Sequence, residues 1–349
     1  MTVPRHAARP ARNPMTFARR VRPLVDAVAD AVGILSRLER RMRGGLTILT
    51  YHRVLPDGSA RSYPLASLVT PESVFREQVQ WLAGRTVLST LRGALAARGS
   101  WGSEARPRVC ITFDDGFADN QRFAAPVLDE LGVRATFFIA TAPVRDGGRL
   151  WFDAAARAWE SGPGELTGAA ERVLGRRDLG SSPTLDAWMR LLKSVPAEQR
   201  NATLGVLRID GAPPDTDRMM TPAEVRLLTS AGHEIGSHTV THPILTMESD
   251  AVINDELSRS RAELASWTGT DVAGFCFPNG DCDDRVVEAV RRAGYTYACV
   301  TAAGRNGADA DVLRLRRIDM NPARVTDQRG RHSARALRAE ITLFHGALR

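Results

Sequence analysis

The chain has 349 residues, 43% hydrophobic and 25% charged, with a formal net charge of +7. This balance fits a globular protein with a substantial core and excludes a fibrous or largely disordered one. The positive charge is carried by arginine, since Lys193 is the only lysine, and neither a zinc-finger spacing nor a phosphate-binding glycine loop accompanies it. That leaves an acidic partner or a membrane surface rather than nucleic acid. Cys110, Cys276, Cys282 and Cys299 form no Cys-x-x-Cys pair, which argues for reduced, buried thiols over a disulfide framework or structural zinc.

Residues 1–14, rich in proline and arginine, are expected to be a disordered tail. Over 15–45, Leu24, Val28, Val32, Leu35, Leu38 and Met42 recur at helical spacing, flanked by Arg19, Arg20, Arg37, Arg40, Arg41 and Arg43. The pattern predicts one amphipathic helix that either docks on the main domain or lies on an anionic membrane face. Asp26 and Asp30 interrupt the apolar run that a secretory signal needs. The expectation is therefore no signal peptide, no membrane-spanning helix, and a cytoplasmic protein with peripheral contact at the inner membrane face.

From Leu46 to about residue 325 strands and helices alternate. "LTILTYH", "RVCITF", "RATFFIA", "HEIGS", "VAGFCF", "TYACVT" and "VLRLRRI" read as strands. "TPESVFREQVQWL" reads as a helix with Thr70 as N-cap and Pro71 at its first position. "ADNQRFAAPVLDELG" predicts a helix closed by Gly132, and "TPAEVRLLTSAG" one opened by a Thr221–Glu224 capping box and closed by Gly232. Further helices are expected over 250–267, in "DRVVEAVRRAG", and in a closing segment over 326–349. Residues 145–217 break the alternation with mostly helical sequence, an insertion that either lines a substrate groove or packs on the flank. Short connections imply right-handed crossovers and a parallel sheet. A closed or distorted barrel and an open doubly wound sheet are the candidates, and without a nucleotide fingerprint the fold preferred is α/β, a distorted (β/α) barrel of about seven parallel strands with a helical insertion.

Asp114 and Asp115 follow "RVCITF" at its carboxyl end, where parallel α/β folds build their sites. Adjacent carboxylates stay ionised only beside a cation or strong donors; the bland alternative is one N-cap and one solvated side chain. His238 and His242, spaced as on one helical turn after "HEIGS", can share a metal ion, and with one aspartate they make a catalytic-type site. His52 ends another strand and is a candidate acid or base, while His233 opens one and reads as structural. His6, His332 and His345 lie in terminal segments, with His345 the reserve acid. Pro278 and Gly280 in "FCFPNGD" suit a tight loop with N–H groups facing an anion, and Arg316, Arg317 and Asp319 follow "VLRL". Asp114, Asp115, His238, His242, Pro278 and His52 fall at one end of the expected barrel, which strengthens the joint reading.

"TFDDG", "SHTVTH" and "FCFPNG", in this order, resemble the first three motifs of the polysaccharide deacetylase family, the NodB-homology or carbohydrate esterase family 4 group. The resemblance runs from Leu46 to Met320, the insertion excepted. It implies a distorted barrel that removes N-acetyl, or sometimes O-acetyl, groups from a carbohydrate such as an N-acetylglucosamine polymer. It makes Asp114 the general base, Asp115, His238 and His242 the ligands of one divalent metal, and a metal-bound water the nucleophile. Zinc is the first choice, with cobalt, nickel, iron or manganese as alternatives. Pro278, Asn279 and Gly280 would hold the oxyanion. Cys276 and Asn279 occupy the places of the family's base-tethering arginine and an aromatic residue, and Arg317 or Arg316 is the candidate to supply that charge. "ILTYHRV" is similar to the subgroup of biofilm poly-N-acetylglucosamine deacetylases with an amino-terminal Tyr-His motif, which favours His52 over His345 as acid. An inactive carbohydrate-binding module and an O-acetyl esterase are the alternatives.

Overall fold

The computed structural model describes residues 14–60, 63–176, 184–207 and 217–346. Its strands are β1 (Gly45–Tyr51), β2 (Arg53–Leu55), β3 (Val69–Pro71), β4 (Val87–Leu88), β5 (Arg108–Phe113), β6 (Thr136–Ile139), β7 (Glu234–Ser237), β8 (Gly274–Cys276), β9 (Tyr297–Cys299), β10 (Asn306–Gly307) and β11 (Ile318–Asp319). Two helices, α1 (Pro14–Ala31) and α2 (Ile34–Arg41), precede the sheet, and α3 (Glu72–Ala83), α4 (Leu91–Ala96), α5 (Ala125–Glu130) and α6 (Thr141–Asp146) alternate with its first half. The insertion contributes α7 (Trp151–Ser161), α8 (Pro163–Leu174), α9 (Leu185–Lys193) and α10 (Ala197–Val206). Then come α11 (Pro222–Ser230), α12 (Asp250–Thr268), α13 (Asp284–Arg292), α14 (Pro322–Val325) and α15 (Ala334–Ile341).

β10, β1, β5, β6, β7, β8 and β9 lie side by side, with β4 added to β5 and β11 to β1. From β1 to β9 each of these pairings is parallel, and β10 joins antiparallel. The sheet curls into the distorted barrel, and the gap between β9 and β1 is crossed by residues 313–319. Leu315 exchanges hydrogen bonds of 2.9 Å with Ala298 and Val300, after which Ile318 and Asp319 pair with Leu49 and Thr50 of β1. The strand expected in "VLRLRRI" is thus split between two neighbours, which is why only its end is regular.

Alternation along the strands sorts side chains into two layers, as the period of two requires. Leu49, Ile111, Phe113, Phe137 and Phe275 pack with the surrounding helices in one cluster. Leu46, Ile48, Cys110, Phe138, Cys276, Tyr297 and Cys299 form the other, inside the barrel. Cys110, Cys276 and Cys299 are buried free thiols, as expected, whereas Cys282, also free, is only half-buried.

Several boundaries differ from the sequence reading. The expected tail lies outside the described residues save for Pro14, which opens α1. The single helix over 15–45 is two, because Gly33 takes a left-handed conformation with φ 77° and breaks it. Helix α3 starts at Glu72 behind Pro71, since Thr70 is recruited by β3 to pair with Val54. The closing helix ends at Ile341, with Leu343 in a left-handed conformation. The Thr221–Glu224 capping box is present in both directions.

A buried ionic cluster fastens the insertion to the barrel. Arg53 donates to Asp119 at 2.8 Å and to Asp217 at 3.2 Å, and its guanidinium lies 4.3 and 4.4 Å from the ring centres of Tyr63 and Phe117. Asp217 also takes a 2.6 Å bond from Arg157 of α7. Removing one partner of such a cluster strands buried charge. Arg53→Met is expected to cost about 3–5 kcal/mol in guanidinium chloride denaturation; a loss below about 1 kcal/mol would mean that the cluster is not a fastening.

Candidate active site at the carboxyl ends of the strands

Asp114 continues β5, its N–H bonded to the Tyr51 carbonyl at 3.1 Å. Asp115 and Gly116 then take positive φ, 79° and 95°, and turn the chain sharply. A side chain at Gly116 would press on Ile139 and Val144 at 3.2 and 3.3 Å, so the glycine serves both the turn and the packing. Both aspartates are buried. Neither is the solvated or helix-capping residue of the bland reading.

Their environments pull them apart. Arg317, itself buried, donates two parallel bonds of 2.7 Å to the two oxygens of Asp114. It is held by the Val300 carbonyl at 3.1 Å and also donates to the Cys276 sulfur at 3.0 Å. Burial alone would raise the Asp114 carboxyl, but the charge and hydrogen bonds of Arg317 override it and leave Asp114 well below the ordinary carboxylate range. Asp115 has no such partner. Burial first, and the neighbouring Asp114 second, push it well above that range.

What Asp115 faces instead is a pair of imidazoles. Its Oδ1 lies 3.6 Å from His238 Nε2 and 3.4 Å from His242 Nε2. Burial pushes His238 down to about 4 and His242 well below the usual imidazole range, so both stand neutral, the form that binds metal. The Cys276 carbonyl, 2.7 Å from His238 Nδ1, turns Nε2 toward the aspartate. Asp115 Oδ2 is buried without a hydrogen-bond partner. An orphaned carboxylate oxygen beside two neutral imidazoles, with ligand atoms all within 4.8 Å of one another, fits a divalent cation. Asp114, His238 and Cys276 are equally close together, but Arg317 already occupies that carboxylate and its positive charge opposes a second cation there.

The two histidines do not stand on a helical turn. Residues 238–242 run irregularly, with Thr239 and His242 at φ 69° and 58°. Glu256 of α12 replaces the helical bonds, accepting from the N–H groups of Val240 and Thr241 at 2.7 and 2.9 Å and from the Thr241 hydroxyl at 2.6 Å. Of the five non-glycine residues with positive φ among those described, Asp115, His242 and Asn279 line this site and Thr239 adjoins it. Strain concentrated this way marks functional sites.

These groups meet in a cavity of about 300 Å³, whose wall includes His52, Asp114, Asp115, His238, His242 and Asn279. Burial lowers His52, with the Asp114 and Asp319 carboxylates acting in the opposite direction. Asn279 carries the left-handed turn after Pro278, closed by a 2.8 Å bond from the Gly280 N–H to Phe277. Any side chain at Gly280 would collide with Thr301. A second cleft of about 410 Å³ continues from His52 and Asn279 past Asp319 to Arg324 and Glu340. A larger one, about 530 Å³, lies between α1 and the C-terminal segment and contains none of the candidate catalytic residues.

The insertion forms a wall of the site. Trp151, Phe152, Asp186, Met189 and Lys193 all reach the cavity, and Lys193 Nζ bonds Asn279 Oδ1 at 2.6 Å. Trp151 donates to the His242 carbonyl at 3.0 Å, and the Arg200 guanidinium stacks 4.4 Å over its indole ring. The sequence reading missed these residues and Glu256; the one signal available was that Lys193 is the only lysine. Two other described histidines stand elsewhere, and His6 lies outside the described residues. His233 accepts from the Ala135 N–H at 3.2 Å at the amino end of β7, and His345 Nε2 lies 2.7 Å from Asp26 of α1, so the reserve acid does not reach the site. Arg316 is exposed, and Asp319 pairs with Arg324.

The family model described as "Polysaccharide deacetylase" matches residues 102–298. YxkH of Bacillus subtilis, whose name assigns it to the polysaccharide deacetylases, is 32% identical over 99 residues, 27% of this chain and 31% of that protein. Among solved structures, the deacetylase PplD of Streptococcus pyogenes in complex with acetate superposes with a TM-score of 0.54 at 19% identity, covering 80% of this chain and 93% of that one. IcaB of Ammonifex degensii gives 0.52 at 18% identity, with the same coverage of 80% and 93%. At such identities these two likenesses establish the barrel alone.

Replacing Arg317 isolates the Asp114 charge. Arg317→Met is expected to destabilise the protein by about 3–5 kcal/mol, because a carboxylate is left buried and unpaired. The double variant Arg317→Met with Asp114→Asn should recover much of that loss in urea denaturation. If the two losses simply add, the pair is not coupled.

Proposed function

The chain belongs to the polysaccharide deacetylase family, whose model spans more than half of it, and from that premise we propose that it is a divalent-cation-dependent hydrolase that removes N-acetyl groups from an amino-sugar oligosaccharide or polysaccharide. The observation that carries this reading is the opposed treatment of adjacent aspartates, one saturated by Arg317 and one facing two neutral imidazoles. Asp115, His238 and His242 would hold the cation, zinc first, which supplies the Lewis acidity that polarises an acyl group.

The chain's own residues divide the remaining work. Asp114, kept ionised by Arg317, takes a proton from the attacking water. In the turn at Pro278, Asn279 and Gly280, the Asn279 N–H is the backbone donor offered to the acyl oxygen, where negative charge develops, since proline has no N–H and the Gly280 N–H is bonded to Phe277. His52, on another wall of the same cavity, delivers a proton to the departing amine. Trp151 and Phe152 give the sugar apolar surface and exclude water. The second cleft beyond His52 gives room for further sugar units, which supports an oligomeric substrate.

An inactive binding module was attractive because Cys276 replaces the base-tethering arginine. Arg317, just before β11, makes a bidentate contact to Asp114 and bonds to the Cys276 sulfur, which weighs against that alternative.

Purified protein, stripped with chelator and reloaded with Zn²⁺ or Co²⁺, should release acetate from N-acetylglucosamine oligomers, and Asp114→Asn should abolish the release. Absence of release from both N-acetyl and O-acetyl sugars by protein holding one tightly bound metal would defeat the proposal. An amine leaving group needs its proton more than an alcohol does. His52→Gln is therefore expected to slow amide cleavage by roughly 10²–10⁴-fold and cleavage of a matched O-acetyl ester by much less; equal losses on both substrates would remove His52 from the acid role.

A further inference from the structure

The sequence left two roles open for the amphipathic segment before the barrel, docking on the domain or resting on a membrane. The structure gives its opposite faces different surroundings. Val25, Ala29, Leu35 and Leu38 pack with Ala339 and Phe344 of the C-terminal segment in a small cluster of their own. Leu24, Val28 and Val32 project from the other side of α1 and the turn after it, followed by Ile34 at the start of α2. They are 67, 56, 64 and 42% exposed. Leu24, Val28 and Val32 follow one another at four-residue spacing, so they form a continuous row. The other large exposed apolar residues, Val206, Leu227, Met247 and Val252, are spread over different elements. Scattered apolar residues are normal on a surface; a row of this kind is not.

The charges on the same two helices are also sorted. Asp26 lies against His345, Asp30 against Arg335 and Arg338, and Glu39 against Arg338, so each carboxylate is engaged with the C-terminal segment. Arg37, Arg40, Arg41 and Arg43 are exposed and, among the described residues, have no carboxylate partner. Ile34, Arg37 and Arg41 share one face of α2 by their spacing. Arg305, also exposed, adds another positive charge by donating to the Arg41 carbonyl at 2.6 Å. No described helix is long and apolar enough to cross a bilayer.

We propose that the outer face of α1 and α2 docks on an anionic phospholipid surface, with Leu24, Val28, Val32 and Ile34 entering the interface and the adjacent arginines meeting the headgroups. The pairing of an apolar row with unneutralised arginines selects this occupant: lipid offers hydrocarbon and negative charge side by side. A second copy of the chain would bring the same positive charge against itself. The assignment is independent of the barrel's chemistry.

Flotation of the purified full chain with phosphatidylglycerol–phosphatidylcholine vesicles, and with phosphatidylcholine alone, tests it. Each arginine near an anionic surface is worth about fivefold in partitioning. Binding is expected to the anionic vesicles, to weaken with salt, and to fall at least tenfold both in Arg37→Glu/Arg40→Glu/Arg41→Glu/Arg43→Glu and in Leu24→Ser/Val28→Ser/Val32→Ser. Unchanged circular dichroism and thermal melting would show that these exposed replacements leave the fold intact. The proposal is overturned if the parent protein ignores anionic vesicles, if folded variants bind as it does, or if the apolar row instead holds a dimer that the serine variant dissociates in sedimentation velocity.

Discussion

Two carboxylates on consecutive residues, buried at the end of a strand, are the constraint around which the site is organised. Like charges a few ångströms apart repel by about 4 kcal/mol even at an effective dielectric constant near 20. The protein relieves this in two unlike ways. Asp114 is matched to a fork of guanidinium hydrogen bonds, while Asp115 is turned by a left-handed backbone toward two neutral imidazoles and keeps one oxygen without a donor. The same side chain thereby acquires two environments, one carboxylate held ionised by a guanidinium and one with an unpartnered oxygen beside two imidazoles, and the proposed base and cation-ligand roles rest on that division.

The rest of the barrel serves this separation. Its irregular closure is what admits Arg317: residues 313–319 leave β9 for β1, and the guanidinium, anchored on Val300, spans the interior to Asp114. Cys276 lies beneath that bridge, accepting from Arg317 at 3.0 Å and approaching Asp114 at 3.6 Å. A thiol in this place fills volume without charge, so the positive charge can come from the crossing segment before β11. On the other flank, Glu256 converts residues 238–242 into a rigid, non-helical presentation of two imidazoles. Left-handed residues cost free energy, and the hydrogen bonds of Thr239, Glu256 and Trp151 hold that segment in place.

The insertion changes the character of the cavity. Trp151 couples its first helix to His242, Lys193 couples its third to Asn279, and Arg53, Arg157 and Asp217 tie it to the barrel. In a chain whose positive charge is otherwise arginine, a lysine contributes a compact, flexible ammonium at the cavity wall. Burial lowers it, with Asp281 acting in the opposite direction.

Much of this was legible in one dimension. Continuous apolar runs ending in Asp, His or Pro set out the strands and the end at which chemistry gathers, because period-two alternation and short crossovers leave a parallel sheet little freedom. The Asp114–Asp115 and His238–His242 pairs stood out because their order and spacing are local properties of the chain. The choice between Arg316 and Arg317 was not local: it depends on how residues 313–319 cross from β9 to β1. His52 was favoured over His345 by the local stretch "ILTYHRV", and what only the fold shows is that His345 lies against Asp26. Glu256 and Trp151 had no local mark of function, and Lys193 only that of being the single lysine, because each acts on a residue distant in sequence. The sequence by itself determined most of the strands and helices and the end of them at which the candidate site lies. Only the tertiary structure decided which charges meet, since long-range pairing depends on barrel closure and the seating of the insertion.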